Sequence, residues 1–434
     1  MTILRELLQK KFDKNKDFTF LIKNNKKLNL SELLENEVDQ FEDILPGDIV
    51  AVIGDFDKVT IKNLIYLIDK KTVIVPLTNE TKQDHNYFLK AAQVDFVLKG
   101  TTLTNLKNKD KKKPILKKLQ NKAAGLILFS SGSSGKPKAI LHAMPTFLDR
   151  FKIKKNKNFK TLSFLLFDHI GGIHTLFYTL FNGGTLIVPN NRSVNHILRI
   201  SKKFSVDVLP ATPTFLKILL MKKNIEKTMP KSIKIITYAT EIMYPSTLET
   251  LCKKFKKIDF RQKYGMSEMG ILRVISKTRN SNYFKIVDKN VKTKVINNIL
   301  YIKSKYRMLG YLNSKNPIKK DGWYKTNDIV EKKNNFIKIT GRKDKVINIG
   351  GLKVLPNFIE EKILLFDEVL YCKVYGKNNP ITGQHVEAII EPKDFNKFNK
   401  YKFYKFIQKN IQSFMQPKRI MFEKVKISHR QKKI

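Results

Sequence analysis

The chain has 434 residues, 42% of them hydrophobic, and sets 84 lysines and arginines against 38 aspartates and glutamates for a formal net charge of +46. That length can build more than one core, while two distant cysteines, Cys252 and Cys372, exclude a disulfide framework or zinc-ligand spacing. The lysines are spread along the whole chain among asparagines, isoleucines and phenylalanines. They read as a compositional bias that also steers anionic ligands, and nucleic-acid recognition is not expected.

The stretch MTILRELLQKKF carries charges among its apolar residues and does not read as a signal peptide. The longest apolar stretch, Leu162 to Val188, is broken by Asp168, His169 and glycines, so it does not read as a membrane span. A reducing cytoplasmic setting is expected. Further along, GDIVAVIGD from Gly47, KTVIVPL from Lys71 and VDFVLKG from Val94 read as strands, with KNLIYLIDK and HNYFLKAAQ as amphipathic helices between them. The lysine-dense NLKNKDKKKPILKKLQNK from Asn105 reads as a solvated linker or helix face. The strand–helix alternation, typical of a parallel sheet, continues through GGTLIVP from Gly183, KFSVDVLPATPTFLKILL from Lys203 and SIKIITYATEIM from Ser232. Beyond a charged junction at 341–345 the rhythm changes. A glycine-broken strand pair, a helix from about Asn357, strands at EVLYCKVYG and HVEAIIEP, a helix near Tyr401 to Ile411 and RIMFEKVKI compose a small α+β unit.

Chemistry concentrates in LFSSGSSGKPKAI from Leu128, directly after the buried-strand pattern GLILF. Glycines admit close backbone approach to phosphate oxygens, serines donate, and lysines supply charge. The glycine spacing is not that of a Walker loop. Further motifs follow in order: FDHIGGI from Phe167, YGMSEMG from Tyr264, MLGYLN from Met308, DGWYKTNDIV from Asp321 and GRKDKVINIGGLKVLPNFIEEKI from Gly341.

With these motifs the chain, from about Asp48 to its end, resembles the adenylate-forming (AMP-binding) enzymes, which include acyl-CoA synthetases, aryl-CoA ligases, luciferases and peptide-synthetase adenylation domains. The resemblance implies an α/β fold, with a large N-terminal core of mostly parallel sheets over 1–341 and a small, mobile α+β C-terminal domain over 342–434. It implies an acyl-CoA synthetase-like acid–thiol ligase. A carboxylic acid, fatty or aryl, is activated with ATP and Mg²⁺ as an acyl-adenylate, pyrophosphate leaves, and CoA or a phosphopantetheinyl carrier protein accepts the acyl group. An alternative is an acyl or aminoacyl adenylating enzyme that loads a carrier protein. A more distant one is a polyanion-binding protein on a decayed scaffold, against which Lys138, Glu268, Asp328 and Arg342 count.

Residue by residue, the resemblance assigns Ser130, Ser131, Gly132, Ser133, Ser134, Gly135 and Lys138 to the departing phosphates. Thr240, Glu241, Tyr264, Gly265, Met266 and Ser267 fall on the nucleotide, with Tyr264 near adenine. Glu268 is the Mg²⁺ carboxylate, Asp328 the acceptor for the ribose hydroxyls, and Arg342 a further donor. His169, Gly171, Gly172 and Tyr238 border the acid pocket, where Asp168 offers the competing amino-acid reading. Asp344 is the hinge, Gly350 and Gly351 line the pantetheine passage, and Lys433, next to Lys432, is the C-terminal catalytic lysine. Departures from the family pattern include Ala139, Asn327, the Tyr238–Glu241 segment and the absence of the usual glycine before Lys433.

Overall fold

Apolar runs too short for helices and rich in β-branched residues build two sheets. The computed structural model describes residues 4–12, 17–35, 41–106, 112–119, 122–130, 136–152 and 157–426. Among these, a first sheet orders the strands Asp259–Gln262, Ile235–Tyr238, Val208–Ala211, Lys160–Leu162, Thr185–Val188, Thr19–Lys23 and Lys26–Asn29, parallel except for the last pair. A second runs Gly310–Tyr311, Ala139–Ala143, Gly125–Phe129, Val73–Leu77, Ile49–Ile53, Phe96–Lys99 and Thr102–Asn105. Its middle strands are parallel, and antiparallel pairs close both edges.

The two sheets share a core with the helices Lys58–Asp69 and Ile170–Phe181, filled by residues such as Val50, Leu126, Phe177 and Leu186. Each such side chain, fully buried, contributes about 1.5–3 kcal/mol, so this layer holds the sheets together. The helix Ile170–Phe181 packs closely because Gly172 lacks a side chain. A Cβ there would stand 1.9 Å from the Leu166 carbonyl oxygen.

The segment 274–342 forms a third, six-stranded antiparallel sheet whose pattern the sequence does not display. Its edge strand Val291–Ile296, VKTKVI, is mostly exposed, so no apolar face marks it. The lysine-rich stretch after Asn105 contains, within the described residues, a 3₁₀ helix over Pro114–Leu119.

The smaller C-terminal domain follows the expected order. The hairpin Ile347–Ile349/Leu352–Val354, the helix Pro356–Ile363, the long pair Val369–Asn379/Gly383–Pro392, the helix Lys400–Asn410 and the strand Arg419–Phe422 enclose a core of their own. No helix among the described residues is long and apolar enough to cross a membrane. Both cysteines are buried and unpaired.

Candidate active site

The serine–glycine segment joins two buried antiparallel strands, Gly125–Phe129 and Ala139–Ala143, at the end of the second sheet. Its base is clamped: Ser130 N–H donates to the Lys138 carbonyl at 3.1 Å, and Lys138 N–H donates to Ser130 Oγ at 3.2 Å. The Pro137 carbonyl accepts from the Tyr87 hydroxyl at 2.8 Å and from the Asn313 amide at 3.0 Å. Ser131, Gly132, Ser133, Ser134 and Gly135 lie outside the described residues, as do Lys432 and Lys433.

Pairing of Gly310–Tyr311 with Leu141 and Ile140 brings Tyr311 beside Lys138, whose Nζ stands 5.1 Å from the ring centroid. On its other side the Tyr311 hydroxyl donates to Glu268 Oε1 at 2.8 Å. Burial and the nearby Glu268 carboxylate raise the Tyr311 pKa, so the phenol stays a donor. Glu268 occupies the turn between the short strands Tyr264–Met266 and Gly270–Leu272, and Met308 N–H donates to its carbonyl at 2.7 Å. Gly265 permits that hairpin, since a Cβ would lie 2.5 Å from the Gly270 carbonyl oxygen.

His142 supports the same turn from below. Its Nε2 lies 2.7 Å from the Ser267 carbonyl oxygen, and burial pushes its pKa down to about 4. A neutral ring facing a carbonyl must carry its proton on Nε2. Nothing in the motif order singles out His142, and only the pairing of its strand places it there.

Asp328 lies at the meeting of the third sheet with the strand from Tyr264. Asn327 before it adopts a φ of 63°, a left-handed conformation that asparagine tolerates. The Tyr264 hydroxyl donates to Asp328 Oδ2 at 2.6 Å, and Arg342 Nη1 stands 4.0 Å from Oδ1. Arg342 Nε donates to Asp344 Oδ1 at 3.0 Å. Burial raises the Asp328 pKa, and the Tyr264 hydroxyl and Arg342 pull against it. The Tyr264 ring, 8% exposed, sits in the core with its centroid 5.4 Å from that of Phe284. Tyr324 joins the clusters, lying in the fields of Glu268, Arg342 and Asp328.

The remaining candidates are placed as follows. His169 caps the helix Ile170–Phe181, its Nδ1 accepting from Gly171 N–H at 3.0 Å. Tyr238 is 2% exposed, packed in the core beneath the helices Pro213–Met221 and Pro245–Lys254. Thr240 has a φ of 79°. The Glu241 carboxylate accepts from Thr214 N–H at 3.2 Å and from Thr214 Oγ1 at 2.9 Å, satisfying donors at the start of the helix Pro213–Met221. Gly350 and Gly351, with φ of 55° and 89°, make the turn of the small-domain hairpin, and open space surrounds them. The Tyr244 hydroxyl donates to Glu360, and the Tyr371 hydroxyl donates to the Thr214 carbonyl at 3.0 Å. These contacts hold the small domain against the segment carrying Thr240 and Glu241.

No cluster of three or more His, Cys, Asp or Glu side chains suited to a metal occurs among the described residues. A single carboxylate such as Glu268 suits Mg²⁺, which keeps several waters and takes one or two protein carboxylates plus substrate phosphates.

Two facing sheets, an antiparallel third sheet and a small α+β domain, with Lys138, Glu268, Asp328 and Arg342 grouped around Tyr311 and Tyr264, define an α/β protein. The AMP-binding enzyme family model matches residues 51–311, more than half of the chain, and the chain belongs to that family. Among curated relatives, the medium/long-chain fatty acid–acyl-carrier-protein ligase FadD10 of Mycobacterium tuberculosis is 25% identical over 274 residues, covering 54% of this chain and 50% of its own. The chain thus spans about half the length of such relatives. The fold matches an anthranilate CoA ligase, AuaEII, in complex with anthranoyl-AMP, with a TM-score of 0.80 at 13% identity, covering 100% of this chain and 95% of that one. It also matches o-succinylbenzoate CoA synthetase of Bacillus subtilis in complex with its acyl-adenylate, with a TM-score of 0.79 at 17% identity, covering 98% and 96%.

Proposed function

We propose that this chain is an ATP-dependent acid–thiol ligase that forms an acyl-adenylate and passes the acyl group to a pantetheine thiol, in CoA or on a carrier protein. The observation that carries this reading is the convergence of Lys138, Glu268, Asp328 and Arg342 on one tyrosine-lined junction. One end offers a cation and a carboxylate for phosphates with a hard metal ion. The other offers a two-oxygen acceptor suited to a ribose diol. In the first step a carboxylate oxygen of the acid attacks the α-phosphorus of ATP and pyrophosphate leaves. In the second a thiol sulfur attacks the acyl carbon and AMP leaves.

Lys138 and the serines of 130–135 face the developing phosphoryl charge, where one lost donor costs about 2.7–4 kcal/mol of barrier. Glu268 would hold Mg²⁺, which would neutralise negative charge on the phosphates. Tyr264 supports nucleotide binding by orienting Asp328. His169, Gly171 and Gly172 border the acid, Asp344 is the hinge of a lid spanning 342–434, Gly350 and Gly351 admit the thiol arm, and Lys433 meets the reacting atoms. The net charge steers ATP and an anionic acceptor, and the cytoplasm supplies both.

An acid-panel assay of pyrophosphate release, run with CoA and with holo carrier protein, tests the reading. Release that depends on acid and Mg²⁺, and is abolished in folded Glu268→Gln, is expected. Release at the normal rate from that variant would refute the metal assignment. Lys433→Ala should slow adenylate formation about a hundredfold while Lys432→Ala does not, and equal small losses from both would refute the lysine assignment.

A further inference from the structure

Lys138 Nζ lies over the face of the Tyr311 ring, Glu268 accepts from its hydroxyl, and the two opposite charges form no ion pair with each other. The backbone of Tyr311 is held in place. Tyr311 pairs with Ile140, Leu312 N–H donates to the Ala139 carbonyl at 3.0 Å, and Ala139 N–H donates to Asn313 Oδ1 at 2.8 Å. The residue before it, Gly310, has a φ of 151° and sits so close to Ile115 that a Cβ would lie 2.5 Å from Cδ1. Tyr311 is 7% exposed, and its hydroxyl is committed to Glu268 Oε1 at 2.8 Å. Backbone pairing, burial and the bond to Glu268 thus hold the ring where it contacts both charges.

Their separation has a chemical consequence. In a partly desolvated pocket a lysine and a glutamate brought together would form a salt bridge. That bridge would neutralise the cation a phosphate needs and occupy the carboxylate a metal ion needs. We propose that Tyr311 is a positioning residue that keeps Lys138 and Glu268 apart, its ring face holding the ammonium and its hydroxyl orienting the carboxylate. The inference rests on the reading of these two residues as phosphate and metal contacts, and it explains how both stay available before ligands arrive. Cation–π attraction suits the role, because it holds the ammonium without cancelling its charge.

The test uses the full chain as Tyr311→Phe, Tyr311→Leu, Lys138→Met and Tyr311→Leu/Lys138→Met, each checked for folding by thermal melting. A crystal structure of ligand-free Tyr311→Leu should show Lys138 Nζ at ion-pair distance from Glu268. The two still apart would overturn the spacer role, whatever the site binds. Mn²⁺ uptake with a non-hydrolysable ATP analogue, followed by electron paramagnetic resonance, is the second readout. Tyr311→Leu should weaken it roughly tenfold or more, the scale of a charge-assisted interaction. Tyr311→Phe, which keeps the ring, should lose less. Adding Lys138→Met to Tyr311→Leu should restore uptake to the level of Lys138→Met alone, since the collapsing partner is gone. A double variant no better than Tyr311→Leu, or a Phe variant as weak as the Leu variant, would overturn the proposal. A wild-type chain that takes up no Mn²⁺ with the analogue would instead sink the nucleotide reading, leaving the crystal structure to decide the spacer.

Discussion

Deleting one oxygen from Tyr264 isolates what supports the Asp328 carboxylate. In Tyr264→Phe the ring keeps its packing on Phe284 and loses only the 2.6 Å hydrogen bond to Oδ2. A hydrogen bond to a charged group contributes about 1.5–3 kcal/mol. Asp328 is 8% exposed, so water replaces the hydroxyl poorly, and the remaining cation, Arg342, lies 4.0 Å away on a side chain 45% exposed, where solvent screens it. The cost must also depend on pH. Burial raises the Asp328 pKa and the Tyr264 hydroxyl opposes that rise, so the variant's carboxyl titrates higher still. A carboxyl whose native pKa exceeds its unfolded value contributes stability at low pH that is lost as pH rises through the native pKa. The variant loses more of it, by about 1.36 kcal/mol for each unit its native pKa moves. Urea unfolding at pH 7 and pH 4 measures both quantities through the midpoint at constant m. Tyr264→Phe should cost about 1.5–3 kcal/mol at pH 7 and clearly less at pH 4. In an Asp328→Asn background the same deletion should cost about 1 kcal/mol at either pH, the worth of a neutral hydrogen bond. Equal losses at the two pH values in the native background would refute the claim that Tyr264 supports an ionised Asp328.

Three further perturbations probe neighbouring parts of the molecule. Because burial holds His142 at about 4, below an unfolded value near 6.5, stability should fall by about 3 kcal/mol as pH drops from about 6.5 to about 4. His142→Gln keeps a donor for the Ser267 carbonyl and should remove that loss, so a wild-type-minus-variant difference that is flat across this window would count against a neutral buried imidazole. Gly172→Ala pushes a Cβ into the Leu166 carbonyl oxygen and should destabilise by about 3 kcal/mol or more, whereas Gly351→Ala, in open space at a φ of 89°, should cost only about 1–2 kcal/mol of backbone strain. Thermal melting ranks the two, and a reversed order would show the backbone relaxing around Gly172. Thr214→Val, which removes the hydroxyl donor to Glu241, should cost about 1–3 kcal/mol in urea unfolding, and an unchanged midpoint would show that Glu241 is not held by that cap.

The parts legible in the sequence are those whose cause is local. Ile49–Ile53 and Val73–Leu77 are runs of mostly buried apolar residues, and Lys58–Asp69 buries one face behind an Asp57 cap, so pattern and structure coincide. The motif residues Glu268, Asp328 and Lys138 also lie near one another in the structure. What escaped depends on partners distant along the chain. Thr19–Lys23 completes the first sheet only by pairing with Thr185–Val188, and no periodicity within either strand says so. Val291–Ile296 is a strand because Ile299–Ser304 folds back on it, with lysines on its open face. Tyr264 offers the same lesson at the site, since an aromatic residue in a nucleotide motif suggests stacking while its hydroxyl reaches Asp328, 64 residues away. Glu241, too, has its carboxylate committed to the amide and hydroxyl of Thr214.

The small domain shows how much such long-range contacts weigh in function. Rotation about Asp344 would have to part the Tyr244–Glu360 and Tyr371–Thr214 hydrogen bonds. Glu360 would keep a hydrogen-bond partner within the same domain, since Val374 N–H donates to its Oε1 at 2.9 Å. Both tyrosine hydroxyls would exchange a protein acceptor for water. Two such exchanges amount to about 1–3 kcal/mol, a gap that differential binding of a substrate to one arrangement can reverse. Contacts of that size would favour one arrangement yet allow release, as the proposed rotation about Asp344 would require.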